Sequence, residues 1–270
     1  MALKEDSVLH YNLGKLAYFS SKKLFSDPTR KDQDDFILSL SLAHNDFKAL
    51  LFFWEVVGEF PPKSPNNGYV SARFGQYSSY RWMLYRYLAG ALNEVLVLLE
   101  KKKEVLEDSE IARAMAKLDT SYQHTWEQLK SLARNIVDER DEETKQLRNK
   151  ISNVRDNISF HYCDNSHLSD NYKKAFFNST IRPDGRAYFT NGSSLEQISF
   201  LFADAAVETF LIEKMGMTPS NPDTDPLRKF VKAAYISIGQ LVLQYLKQVQ
   251  ADVVTLGPSD REYEVGEPVS

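Results

Sequence analysis

The sequence predicts an all-α protein, a multi-helix bundle of six to eight helices with room for one small β-hairpin near residues 186–190. Three observations carry this expectation. Apolar residues recur at three- and four-residue steps over long stretches. Glycine and proline are scarce, 11 and 10 in 270 residues, and most of them cluster in the breaks between those stretches. The hydrophobic fraction, 43%, suffices to bury a sizeable core.

Taken in order, the first stripe is Ile37, Leu40, His44, Phe47, Leu51 and Trp54, one face of an amphipathic helix. The Pro61-to-Gly68 cluster ends it. A second stripe, Phe74, Tyr77, Arg81, Leu84, Leu88, Ala91, Val95 and Leu98, predicts a single helix from about Tyr69 to Leu106. Tyr122, Trp126, Leu129, Leu132 and Ile136 form a third, and Leu147, Ile151, Val154 and Ile158 a fourth. Ser193 followed by Glu196 and an apolar run has the form of a capping box, predicting a helix from there to Met215, stopped by Gly216. Asp225-Pro226 is a good N-cap and N1 pair for a last helix carrying Phe230, Ala234, Ile238, Leu241 and Tyr245, ending near Ala251. Strand alternation is weak, and only Arg186 to Thr190, between two glycine turns, reads as extended. No linker divides the chain, so residues 1–256 are expected to form a single helical domain, and 257–270 a loose acidic tail.

Composition narrows the function. The net charge of −4 excludes a general polycation, so any nucleic-acid contact must come from a local patch. The single cysteine, Cys163, excludes a disulfide framework and a cysteine-rich zinc site. The longest charge-free apolar stretch, Ala233 to Leu246, is too short to span a bilayer, and the N-terminus has no signal-peptide core. The expectation is a soluble cytoplasmic protein with no membrane partner. Phosphate-binding glycine loops, dinucleotide fingerprints, Glu-x-x-His pairs and nucleophile elbows are absent, so no cofactor and no metal is expected. Asp164 and His167 have ligand spacing but sit in a polar turn and read as a solvated loop.

One segment stands apart: Leu147-Arg-Asn-Lys-Ile-Ser-Asn-Val-Arg-Asp-Asn-Ile-Ser-Phe-His-Tyr-Cys163. In helical projection Leu147, Ile151, Val154 and Ile158 form the buried stripe, with Arg148, Ser152, Arg155 and Ser159 beside it. Arg155 lies on the shoulder of the core face. Asn157, one turn before His161, shares the latter's face, so an arginine and a histidine come within one and a half turns of each other.

Arg155-Asp156, four residues and then His161 resemble the signature of the HEPN superfamily of helical domains. Arg148-Asn-Lys and Phe160-His-Tyr also resemble the ending of uncharacterised bacterial helical proteins. The resemblance covers about 16 residues and, loosely, their helical setting. It implies a metal-independent endoribonuclease of the toxin or defence type, a homodimer whose two Arg/His pairs meet across the interface. Arg155, His161, Asp156 and Asn157 would form the catalytic site, with RNA as the substrate and DNA excluded. The chemistry suits the residue types. A neutral imidazole can take the 2′-hydroxyl proton, and a guanidinium holds phosphate oxygens as charge builds. Some members of the superfamily have lost activity and only bind. The competing class is a non-enzymatic helical interaction protein with a protein partner, in which the same residues stabilise a bundle or dimer.

Two further constellations bear on partners. From Phe60 to Lys103 seven Lys or Arg stand against two Glu, and Tyr69 to Tyr87 interleaves aromatics with Arg73, Arg81 and Arg86. With Arg148 these are the candidate nucleic-acid contacts, since aromatic faces and guanidinium groups grip single strands. The same pattern also describes a long core helix whose tyrosine hydroxyls reach solvent. Asp204 and Glu208, one turn apart in an apolar run, are expected to be neutralised by an arginine such as Arg81 or Arg155. His44, on its stripe, reads as a hydrogen-bonded core residue.

Overall fold

Seven continuous α-helices account for most of the described residues of the computed structural model. These residues are 17–18, 24–59, 61–63, 71–134, 145, 147–149, 151, 170, 172–174, 176–177, 187–190, 198, 200–215, 226–249 and 254–255. The helices are α1 (Lys31–Glu59), α2 (Ala72–Lys101), α3 (Lys103–Leu106), α4 (Ser109–Ala116), α5 (Thr120–Ala133), α6 (Leu201–Met215) and α7 (Pro226–Val249). A 3-10 turn, Pro28–Arg30, leads into α1 and is capped by Asp27, whose side chain accepts from the Thr29 N–H. The all-α expectation holds. The extended pair lies elsewhere than expected: residues 187–189 are irregular and Thr190 makes an isolated bridge. Instead β1 (Ala17–Tyr18) pairs antiparallel with β2 (Val254–Thr255), so two segments far apart in sequence meet in a two-rung ladder.

Helices α1 and α7 run antiparallel, and three contacts fix their register. Tyr245 bonds Asp34 at one end, the rings of His44 and Tyr235 stack at the middle, and Arg228 lies over Trp54 at the other. The α7 face Leu227, Val231, Ala234, Ile238, Leu241 and Tyr245 is wholly buried. Helix α5 closes the far side, where Trp126 Nε1 donates to the Ser237 carbonyl at 3.2 Å. That bond satisfies the indole N–H inside the core. By length and composition Pro28–Glu59 is apolar enough to cross a membrane; in this fold its inner face, Phe36, Ile37, Leu40, Phe47, Leu51 and Trp54, lines the centre of the core.

Three expectations are corrected. The helix expected to run unbroken to Leu106 stops at Lys101, because Lys102 leaves helical geometry at φ −108°, ψ 26°. The kink re-aims the next turn so that Leu106 enters the core, and the Lys102 ammonium meets Asp32 of α1 at 3.1 Å. The buried face of α2 is also broader than the one expected: Leu84, Leu88 and Val95 of the stripe are buried, and residues beside them are buried as well. Phe74, Tyr77 and Arg81 are only half buried, while Tyr85, Leu88, Leu92, Leu96 and Leu99 are the innermost residues. The reason is packing on two sides, since α2 lies against both α1 and α5. Finally, α6 begins at Leu201 rather than at the Ser193 capping box, with residues 198 and 200 outside any helix. Leu201 is buried against Gly75 of α2, where a Cβ would come within 2.9 Å of its methyl groups. Docking on α2 rather than the local cap therefore sets this start. The proposed loose tail, 257–270, lies outside the described residues.

Candidate functional site

Arg155, Asp156, Asn157 and His161 lie outside the described residues. The segment that leads to them does not. Residues 147–149 and 151 are helical, Leu147 is 5% and Ile151 0% exposed, and both belong to the main core cluster. The first two positions of the expected stripe are therefore on the core side, and Arg148 is half buried beside them.

The three α2 arginines do not share a face. Arg73 is exposed near the start of the helix, while Arg81 and Arg86 are half buried. Arg81 turns inward: its Cζ lies 4.6 Å from the Trp54 ring centre and 5.6 Å from that of Tyr77, and Nη1 donates to Tyr77 Oη at 2.8 Å. Arg228 of α7 approaches the same indole at 5.6 Å. Two guanidinium groups from different helices thus converge on one buried indole, each such contact contributing about 0.5–2 kcal/mol. Arg81 stands in line with Leu84 and Leu88 on the α2 stripe, and Trp54 is what receives it. Glu208 is half buried on α6, and α6 packs along α2.

A second grouping forms where α1 crosses α7. His44 Nδ1 lies 3.1 Å from the Tyr235 carbonyl oxygen, and the two rings stack with centres 4.4 Å apart and planes within 18°. Gly239 makes this possible. A Cβ there would stand 2.6 Å from His44 Cε1, so the imidazole lies where a side chain would otherwise be. Because the carbonyl can only accept, Nδ1 carries the proton and Nε2 is left as an acceptor. Burial pushes the imidazole below its ordinary pKa, outweighing the bond to Tyr235 that favours the charged form; the Lys48 charge pushes the same way as burial. Burial thus favours the neutral ring, and the Tyr235 carbonyl favours the tautomer with the proton on Nδ1.

This pair lines a cavity of about 350 Å³, shared with Asn45, Gln240, Val242 and Leu243. That size is within the range of small-molecule sites. The sequence reads His44 as a hydrogen-bonded core residue; the Nδ1 contact agrees, but the ring is only half buried and lines a cavity that the sequence does not announce. The available signal was Gly239, a glycine inside an otherwise uninterrupted helix pattern, which costs about 1 kcal/mol relative to alanine and so marks a close approach.

A third buried polar group is structural. Asp34 is 1% exposed and accepts from the Phe25 backbone N–H at 2.9 Å and from Tyr245 Oη at 2.8 Å. Phe25 sits at φ 64°, a left-handed conformation that aims its N–H back at the carboxylate. Burial first, then the Asp34 hydrogen bond and charge, raise the Tyr245 pKa well above that of a free phenol.

No protein-family model, no curated protein and no solved structure matches this chain.

Proposed function

We propose that this chain is a HEPN-like helical protein that cleaves single-stranded RNA without a metal, as a homodimer, with Arg155 and His161 as the acting pair and Asp156 and Asn157 beside them. The observation that supports the reading is the burial of Leu147 and Ile151 in the main core of an all-α bundle. That is the register in which, by sequence, Arg155 falls on the shoulder of the core face. The imidazole takes the proton from the 2′-hydroxyl, and the guanidinium binds the phosphate bidentately as negative charge grows. The partner's pair supplies the acid for the leaving oxygen.

The test is a chelated reaction. With EDTA present the protein should cut single-stranded RNA, leave a 2′,3′-cyclic phosphate and spare DNA. His161→Ala should lower the rate by about 10²–10⁴. Arg155→Lys should also fail, because an ammonium cannot copy the planar fork. Equal cleavage by both variants and the wild type would identify a contaminant. No cleavage across varied RNAs by a confirmed dimer would favour a second reading, that of a non-enzymatic interaction protein. That reading has its own observation. Leu38, Leu42 and Phe53, at steps of four and eleven along α1, are more than half exposed on the side away from the core.

A further inference from the structure

The α1–α7 cavity carries an inference that is independent of whether Arg155 and His161 cut RNA. Its features are set by the fold. The His44 ring is locked in place: Gly239 gives it room against the α7 backbone, the Tyr235 ring lies on its face, and the Tyr235 carbonyl takes its Nδ1 proton. Nε2 is thereby a neutral acceptor, and among the described residues no side chain donates to it. The other polar groups on the wall include the amides of Asn45 and Gln240, each offering both a donor and an acceptor. Ile236, Val242 and Leu243 supply apolar surface, and among the described residues no charged side chain lines the cavity.

These features select against ions. A charged ligand would meet no counter-charge among the described residues that line this partly open cavity. They suit an uncharged planar ring with an amide-like edge: a donor for Nε2, alternating donors and acceptors for the two carboxamides, and apolar faces for the aliphatic side chains. We propose that this cavity is a binding site for an unpaired nucleobase, with Nε2 of His44 accepting an N–H from the base and Asn45 and Gln240 reading its edge. Carboxamide side chains match base edges in just this donor–acceptor manner. The base can come from a free nucleoside or from single-stranded RNA.

The experiment follows the imidazole nitrogens of the full-length chain by long-range proton–nitrogen NMR during titration with the four neutral ribonucleosides. Separate titrations use short 2′-O-methyl oligoribonucleotides, which cannot be cleaved by 2′-hydroxyl attack. The expected result is a saturable movement of the His44 Nε2 signal. Gln240→Leu, at a half-buried wall position, should weaken it by about fivefold or more without changing the melting temperature, as the loss of one or two hydrogen bonds implies. Movement with nucleosides alone identifies a free nucleoside as the ligand, and movement with oligonucleotides alone identifies a base within a strand. Four results would each overturn the proposal: no saturable movement with any probe, an Nδ1-bare tautomer of His44, binding unchanged in both Gln240→Leu and Asn45→Leu, or equally tight binding of toluene, which has no polar edge.

Discussion

Asp34 shows how much a single side chain can hold. Its two oxygens join the turn before α1 to the C-terminal half of α7, through the Phe25 N–H and the Tyr245 hydroxyl. Tyr245→Phe keeps the ring in its fully buried slot and removes one donor from a buried carboxylate. The expected cost is about 1.5–3 kcal/mol, read as a lower urea midpoint with an unchanged slope. His44 supports a prediction of the opposite kind, about protons. Its folded pKa lies below the ordinary value of 6.5 because burial disfavours the cation. Below about pH 6.5 the unfolded chain takes up a proton that the folded chain refuses, so this contribution is fully present above that pH and is lost as pH falls from there through the lower folded pKa. His44→Gln should flatten the pH dependence of unfolding free energy between about pH 6.5 and the lower folded pKa. An unchanged slope in that window would show that the ring is as free to protonate as an exposed one.

Among the elements, the helical piece carrying Leu147 and Ile151 decides whether the Arg/His segment is anchored. Ile151 is completely buried. Ile151→Ala should cost about 2–5 kcal/mol by loss of buried methyl groups and the cavity left behind. It should also lower any RNA cleavage before global unfolding, because the helix bearing the motif loses its footing; a neutral effect on stability would mean that this piece does not dock as described. The α2 kink teaches a related lesson. Lys101, Lys102 and Lys103 read as ordinary helix residues, and nothing local forbids a continuous helix there. The gain from turning Leu106 into the core, with Lys102 reaching Asp32, is a tertiary effect. The start of α6 is similar, since the capping-box sequence Ser193 to Glu196 does not set it while the fit of Leu201 against Gly75 does.

For the whole molecule, one core cluster takes in side chains from α1, α2, α3, α4, α5 and α7, with Leu118, Leu147, Ile151 and Val207 added to it. Its tryptophans, Trp54, Trp82 and Trp126, are all buried in that same cluster. Unfolding in urea should therefore give one transition, coincident by tryptophan fluorescence and far-ultraviolet circular dichroism. Two separated transitions would show that the helices on the α1–α7 side and on the α2–α5 side unfold apart.

The helical class, the α1, α5 and α7 stripes and the start of α7 at Pro226 are legible in local sequence. Apolar spacing and proline stereochemistry are local properties, and they act wherever the helix finally docks. The sequence also made His44 readable as a hydrogen-bonded residue and singled out the Arg155–His161 segment by its residue types. Tertiary structure alone decided the partners. Arg81 on an apolar stripe becomes intelligible only when Trp54 arrives from another helix. Gly239 has a purpose only when the His44 ring comes to lie against it, 195 positions away in the chain. The cavity they share exists in neither helix alone. It arises from the crossing of α1 and α7, a long-range geometry set by burying both apolar faces at once, which no local pattern encodes.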